Sequence, residues 1–471
     1  MEEAKFMGKQ KKSLSVFALV MINCAAIMSL RNLPLLSSYG LAMITFYLIA
    51  ALAFFIPVSL ISAELASMIP EEGGMYAWVR AAIGEKSAFL CVWLSLITTV
   101  TALTMTLTFI ATAAAFSIHP SLANSRFYVS CFIIAIIWLA TLVSLKGMRI
   151  SSIVTTISTI AGTLLPGLFI VFLGICWILG GHPISIKFTA SALMPDFSHF
   201  SNVSFLAGIM FAFAGIEMSA FHVKDVENPR RSYPLAIFYS AALILVISIL
   251  GSLAIAIVIP NGDIRIEAGV IQAFLIMLEK FHLRWLVPIV GFCIAFGGIA
   301  FVFAWISGPS RGLLATRSTG DLPPFLQRVN RHAMPSTILM AQALVVSCCA
   351  LLFVFVKSIS LGFWIINAAS SAMILIMYFF LFLTAILLRK KMPNGERHYR
   401  VPFGDWGMWI LGIVGMGNVL FCLAIAFILP SELRDAISSG KFACGVAIVT
   451  LVLSCPPLLF HLFKKPHWKA D

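Results

Sequence analysis

The sequence predicts an all-α integral membrane protein that crosses the bilayer twelve times. Its 471 residues are 61% hydrophobic and only 11% charged, whereas soluble domains carry roughly a quarter charged residues. Twelve apolar stretches approach or exceed the roughly 20 residues that a helix needs to cross the hydrocarbon layer. Basic residues collect in alternate loops between these stretches, which is how membrane proteins fix their orientation.

The twelve predicted spans follow one another with short connections. From the first to the twelfth they lie near Leu14–Leu30, Leu41–Ala63, Ser87–Ile118, Phe127–Leu145, Ile150–Gly180, Phe200–Phe221, Leu235–Pro260, Trp285–Gly308, Ser336–Val356, Leu361–Leu388, Trp406–Pro430 and Phe442–Phe463. Two amphipathic segments should lie on the surface instead, Gly269–Phe281 and the short helix after the Gly73-Gly74 turn.

The chain is predicted to be one membrane domain, residues 13–463, between polar ends at residues 1–12 and 464–471. With the first end inside, the predicted cytoplasmic segments hold 23 Lys and Arg residues and the outer loops hold 8. This asymmetry predicts that both ends face the cytoplasm. The apolar run after the charged first residues lacks a small-residue cleavage site, so we expect a spanning helix there and not a signal peptide.

Composition and motifs argue against several other classes of protein. The net charge of +13 comes largely from loops between apolar runs, so we expect the lipid bilayer as partner and no nucleic acid. The ten cysteines form no CxxC pair and no histidine cluster accompanies them, which predicts neither a disulfide framework nor a metal site. HExxH, GxSxG and phosphate-binding glycine loops are missing. We therefore expect no enzyme and no cofactor, and any transport would be driven by gradients.

Two polar interruptions lie five spans apart. In the first span, Ile27-Met28-Ser29 is followed by Arg31 and Asn32 within what should be hydrocarbon, and in the sixth, Ala214-Gly215-Ile216-Glu217 places a glycine and a carboxylate near mid-membrane. Transporters built from inverted repeats bind substrate at such paired breaks, where freed backbone groups can coordinate it.

Two charged residues accompany the breaks. A carboxylate at mid-membrane is costly and usually functional, so Glu217 is our candidate for proton coupling; the alternative is a structural glutamate that accepts backbone hydrogen bonds at the broken helix. Arg31 could clamp a substrate carboxylate, snorkel to the outer interface, or pair with Glu217.

Aromatic residues near the breaks are candidate gates: Phe211 and Phe213 in the sixth span, Trp305 in the eighth and Tyr378 in the tenth. Their alternative role is packing, since aromatic side chains dominate cores generally. Tyr378 also carries a hydroxyl that needs a hydrogen-bond partner when buried.

Several segments resemble the amino acid–polyamine–organocation superfamily, and within it the bacterial glutamate:γ-aminobutyrate antiporter group. They are AELASMIPEEGGMYAWV from Ala63, MPDFS from Met194, FAGIEMSAFHVKDVENPRRSYPLAI from Phe213, AGVIQAF from Ala268 and AWISGPSRGLLATRSTGDLPPFL from Ala304. The resemblance implies a LeuT-like five-plus-five inverted repeat with broken helices one and six. The repeats would cover about residues 13–180 and 200–388, with two extra helices at about 406–463.

The resemblance also implies a substrate site between the first, third, sixth, eighth and tenth spans. The family's sixth-span glutamate falls on Glu217 and its tenth-span tyrosine on Tyr378. Three positions depart from the family pattern: a small-residue break falls on Ile27-Met28-Ser29, a tyrosine falls on Arg31, and a glutamate falls on Phe301. Loss of a negative and gain of a positive charge should favour carboxylate-bearing over cationic substrates.

Together these features predict a secondary transporter of amino acids in the cell inner membrane, working by exchange. The substrate carboxylate would meet first-span backbone amides at Ala26–Ser29, and its ammonium sixth-span carbonyls at Phe213–Gly215. Phe301, Trp305 and Tyr378 would line the site and Phe211 would gate it. Proton-coupled symport of neutral amino acids is the alternative, followed by a sensor that does not transport. A homodimer is left open.

Overall fold

The computed structural model of the chain describes residues 14–71, 73–195, 209–210, 212–260, 263–264, 269–355, 360–429 and 437–469. These residues form helices and loops, with β-pairing only as isolated bridges between Leu14 and Val226 and between Val329 and Pro335. Ten described helical segments are long and apolar enough to cross a membrane. The chain is therefore an all-α, multi-pass membrane protein.

The described residues of the first half of the chain form nine α-helices. They are α1 Val16–Ile27, α2 Leu33–Ser37, α3 Met43–Ala50, α4 Ile56–Met68, α5 Met75–Ala82, α6 Glu85–Ile118, α7 Arg126–Ser144, α8 Met148–Thr159 and α9 Leu165–Leu179. Single π-helical turns, Ala51–Phe55 and Ile160–Leu164, join α3 to α4 and α8 to α9. Each pair therefore forms one continuous span with a local widening, a feature common near functional sites.

In the second half, the part of the chain that the structure describes forms eight more α-helices. They are α10 Pro229–Val258, α11 Gly269–Lys280, α12 Val287–Ala315, α13 Ser336–Phe355, α14 Ser360–Lys391, α15 Gly404–Ala426, α16 Ser439–Ser454 and α17 Pro456–Leu462. The sixth predicted span is described only at residues 209–210 and from 212 onward, where a 3-10 segment, Ile216–Asp225, follows a turn.

Two short amphipathic helices lie where the sequence predicts surface segments. Helix α5 follows a turn in which Gly73 and Gly74 both have positive φ, 93° and 47°, a region that glycine enters without a steric penalty. Helix α11 buries Val270, Phe274 and other apolar residues on one face. Helix α11 agrees with the amphipathic pattern. Helix α5 is instead buried along Met75–Val79 and at Ala82, so the expectation that it lies on the surface is wrong.

The eighth span is longer than predicted. Helix α12 continues to Ala315, seven residues beyond the predicted end of the span at Gly308. Its last two turns are buried: Gly308 and Gly312 lie against the ring of Phe221, where an added Cβ would come within 3.3 and 2.6 Å of ring carbons. Arg311 follows the predicted end of the span and was therefore counted with the loop cations. It belongs to this helix, and its side chain is buried. Packing against Phe221 of the sixth span thus accompanies the extra turns of α12, which continue past Pro309.

The centre of the molecule forms where α12 packs along the length of α6 and against α1 and α8. The approach of α12 to the π-turn after α8 is very close, since a Cβ on Gly162 would lie 2.0 Å from the backbone nitrogen of Gly297. Only glycine permits two backbones to meet in this way. This contact fixes α12 beside the interruption in the first span.

Candidate functional site

The first span is interrupted between α1 and α2. Helix α1 ends at Ile27, Met28 and Ser29 have non-helical dihedral angles (φ −77°, ψ 80° and φ −98°, ψ 120°), and a 3-10 turn, Leu30–Asn32, leads into α2. The Met28 and Ser29 amides donate to the carbonyls of Cys24 and Ile27, at 2.7 and 2.8 Å. The Asn32 amide donates to the Ser29 carbonyl at 3.0 Å, whereas the amides of Leu30 and Arg31 have no partner within the turn. An anion would therefore meet Leu30 and Arg31 more readily than Met28 and Ser29.

The sixth span is interrupted at Gly215. Its φ of 122° lies in a region that L side chains rarely adopt. Its amide therefore points away from any helical acceptor and donates to the Tyr378 hydroxyl at 2.7 Å. The conformation explains why a glycine stands here, and it exposes neighbouring backbone groups.

Trp305 joins the two interruptions. Its indole N–H donates to the Ala26 carbonyl at 2.9 Å, and a Cβ on Gly215 would lie 3.1 Å from its ring and 3.4 Å from the same carbonyl. Phe301, one turn earlier on α12, stacks on Trp305 with 5.5 Å between ring centroids. The eighth span thus packs two aromatic rings against the breaks.

Glu217 is buried, with 1% of its surface exposed. The Tyr378 hydroxyl, from α14, donates to its carboxylate and lies 2.9 Å from both oxygens. A single chain of hydrogen bonds therefore runs from the interrupted backbone through Tyr378 to Glu217.

Phe213 lies on the opposite side of the break from Trp305. Its ring stacks on Phe55 at 4.8 Å and contacts Tyr47 at 5.8 Å, while Phe54 meets Tyr378 edge-on at 5.0 Å. These second-span aromatics were missed from the sequence. Tyr47 could have been found from the sequence, because its hydroxyl lies within an apolar run. Phe54 and Phe55 could not, because the sequence does not indicate the π-turn Ala51–Phe55 to which they belong.

Two small cavities flank the first interruption. The first is lined by Ile27, Ser29, Asn32, Leu33, Leu36, Tyr47, Ala212, Phe213 and Ser248. The second is lined by Ala25, Met28, Ser29, Leu30, Phe109, Gly162, Thr163, Ile294, Gly297, Gly298 and Phe301. Their volumes, about 20 and 10 Å³, admit about one water molecule at most. An amino acid can enter only if neighbouring helices move apart.

Arg31 lies in the 3-10 turn just beyond the break and is partly exposed. It forms no ion pair with Glu217, so the third role considered from sequence is not realised in this structure. Within the described part of the chain its guanidinium meets no acceptor at hydrogen-bonding distance. Phe211, the predicted gate, lies outside the described residues.

A buried ionic cluster lies far from the breaks, at the end of the span formed by α3 and α4. Glu64 is 1% exposed and binds Arg389 at 2.6 Å, Arg397 at 3.1 Å and the Val401 amide at 2.8 Å. Burial lowers the pKa of Arg397, an effect that Glu64 opposes. The cluster ties the second span to α14 and to the loop that follows it.

No group of three or more His, Cys, Asp or Glu side chains in the described ranges could hold a metal ion. The candidate site consists instead of backbone groups, aromatic rings, one carboxylate and one tyrosine hydroxyl. Such a site can hold a small zwitterion by hydrogen bonds and helix-end dipoles.

The chain belongs to the amino acid permease family, whose profile matches residues 14–453. It is 38% identical over 427 residues to an uncharacterized transporter of Legionella pneumophila, covering 91% of this chain and 92% of that one. A glutamate/gamma-aminobutyrate antiporter of Lactococcus lactis is 28% identical over 428 residues, covering 90% and 85%. Asc-type amino acid transporter 1 of Mus musculus is 25% identical over 417 residues, covering 86% and 72%. The protein is thus a membrane transporter and not an enzyme.

Proposed function

We propose that the protein exchanges α-amino acids across the cell inner membrane by alternating access. The observation that carries the proposal is the meeting of two interrupted helices, at Met28-Ser29 and at Gly215, beside Glu217. Backbone groups released at such breaks are suited to the carboxylate and ammonium of an amino acid. Its likeness to the Lactococcus lactis antiporter supports exchange as the mode of transport.

The architecture that fits this mechanism has twelve spans, of which the first ten form two inverted repeats of five. Interruptions in the first and sixth spans occupy equivalent places in the two repeats, as that arrangement requires. The positive-inside pattern places both ends in the cytoplasm. The boundaries of the repeats follow those of the sequence analysis, residues 13–180 and 200–388.

We assign the substrate carboxylate to the amides that open the 3-10 turn Leu30–Asn32 and the ammonium to the carbonyls of Phe213 and Ala214. The Gly215 carbonyl accepts the Met218 amide at 3.0 Å and is therefore less suited. The positive end of a helical dipole then faces the carboxylate. Trp305, Phe301 and Phe213 exclude water around the substrate.

The preferred substrates carry a carboxylate without a surplus positive charge. Arg31 brings a cation with no acceptor among the described residues, and the ring of Phe301 lines the cavity beside Met28 and Ser29. A cationic side chain would meet repulsion from Arg31 there. Arginine and polyamines are therefore disfavoured.

The test of exchange is counterflow in proteoliposomes. Vesicles preloaded with an unlabelled amino acid should accumulate the same labelled amino acid, and empty vesicles should not, because exchange requires an internal partner. A panel of amino acids identifies the substrate. Counterflow with none of them contradicts the proposal, whereas equal uptake by empty vesicles under a proton gradient would establish symport instead.

Glu217→Gln tests the role of the carboxylate. Glutamine can still accept the Tyr378 hydrogen bond, but it cannot take up a proton, so we expect transport with a flattened dependence on pH. Rates of counterflow across a pH series measure this. Unchanged transport at every pH would remove Glu217 from coupling and leave it the structural role of holding the break.

A further inference from the structure

The hairpin between α14 and α15 carries an unbalanced positive charge. Arg389 and Arg397 are satisfied by Glu64 and Asp405. Lys390, Lys391 and Arg400 are exposed, and none of the three reaches a carboxylate within the part of the chain that the structure describes. Three cations without a carboxylate partner in the described part of the chain therefore occur within residues 390–400, where one membrane-spanning helix ends and before the next begins.

Large aromatic side chains stand beside these cations. Phe403 is 88% exposed and adopts a positive φ of 63°, a conformation that is a genuine outlier for a bulky residue. Trp406 is 80% exposed, and the Lys390 ammonium lies 5.0 Å from the ring centre of Trp409. Exposed aromatic rings at a helix end are suited to the headgroup level of a bilayer, where one part is apolar and the other wet.

An apolar strip continues from these rings along α15. Trp406, Ile410 and Ile413 are spaced as i, i+4 and i+7, which places them on one helix face, and the two isoleucines are 57% and 56% exposed. The strip runs away from the basic cluster toward the middle of the span. It is therefore placed to lie along a hydrocarbon chain.

We propose that this surface is a binding site for an anionic phospholipid of the surrounding bilayer. The lipid phosphate is held by Lys390, Lys391 and Arg400, and its acyl chain lies along Trp406, Ile410 and Ile413. Lysine and arginine donate to phosphate oxygens, and arginine can do so bidentately. Each basic side chain near an anionic surface contributes about fivefold in affinity.

Charge selects the lipid over another occupant of the same face. A second copy of this chain meeting it across a two-fold axis would bring the same three cations into apposition, and like charges at an interface are costly. A zwitterionic lipid would satisfy the apolar strip but leave the three cations without a counter-charge. An anionic phospholipid supplies a counter-charge for the three cations through its headgroup and an acyl chain for the apolar strip.

The experiment uses the full chain in nanodiscs that contain phosphatidylcholine and phosphatidylglycerol, one of the two brominated on its acyl chains. Brominated chains quench nearby tryptophans, and the signal of Trp406 is obtained by difference from W406F. The variant K390A/K391A is compared with K146A/R149A, which removes two exposed cations from a different loop.

Wild type should be quenched preferentially by brominated phosphatidylglycerol, and this preference should fall about thirtyfold in K390A/K391A. It should remain in K146A/R149A and weaken as salt is added. An equal preference in both variants would overturn the proposal. So would quenching by neither lipid accompanied by dimers that W406A abolishes, which would assign the face to a second copy.

Discussion

At the scale of single residues, Tyr378 holds the interrupted backbone and the buried carboxylate together. Its hydroxyl accepts from the Gly215 amide and donates to Glu217. The sequence indicated each of these residues separately, from a glycine, a carboxylate and a hydroxyl in apolar runs. It could not indicate the bonds between them, because they join residues more than 160 positions apart and depend on how α14 packs.

Tyr378→Phe should weaken both folding and transport. It leaves a buried amide and a buried carboxylate short of a partner, at a cost of about 1–3 kcal/mol. Counterflow rates and the midpoint of thermal unfolding in detergent measure the two effects. Tyr239→Phe is the matched control, since Tyr239 is 62% exposed; equal behaviour of the two variants would contradict the role given to Tyr378.

Gly215→Ala should abolish or strongly reduce counterflow while most of the protein stays folded. The new side chain would occupy a strained conformation, which costs about 1–3 kcal/mol, and its Cβ would lie 3.1 Å from Trp305. Gly417→Ala on α15 is the control, because a Cβ there meets nothing within 4 Å. Normal counterflow by Gly215→Ala would show that the break does not depend on this glycine.

At the scale of elements, hydrophobic runs predicted most helix limits well, as for Glu85–Ile118 and Ser336–Phe355. Other limits differ: α4 ends five residues after the predicted Ala63, and α10 begins six residues before the predicted Leu235. The largest difference among these is at α12, whose last turns are buried where Gly308 and Gly312 meet Phe221. A run of apolar residues shows how long a helix can be, but its end here is decided by a partner distant in sequence. The π-turns are likewise products of packing and left no pattern.

We expect the ion pairs of Glu64 to be the main electrostatic interaction that holds the second span against α14 and the loop after it. Glu64→Gln leaves two guanidinium groups without their buried counter-charge, so we expect a loss of about 3–5 kcal/mol in the free energy of unfolding. The midpoint of unfolding in detergent measures this. Glu396→Gln breaks an exposed pair with Arg230 and should cost no more than about 1 kcal/mol; similar shifts for both would contradict the assignment.

At the scale of the whole molecule, the site is closed around the breaks. Cavities of about 20 and 10 Å³ cannot hold an amino acid, so binding requires the elements that carry Phe213, Trp305 and Tyr47 to separate. Two arrangements of packed helices around one fixed site are what alternating access needs. Composition and loop charge predicted the membrane class, and the paired interruptions with the family resemblance predicted a transport function. Closure of the site depends on side-chain packing that no local sequence pattern shows.

The most direct test of the account is an experimental structure with the transported amino acid bound. We predict that its carboxylate lies within hydrogen-bonding distance of the amides of Leu30 and Arg31 and its ammonium within reach of the Phe213 and Ala214 carbonyls, with Trp305 against its side. Density for the amino acid elsewhere in the molecule, with both interruptions still packed as described, would contradict the central claim.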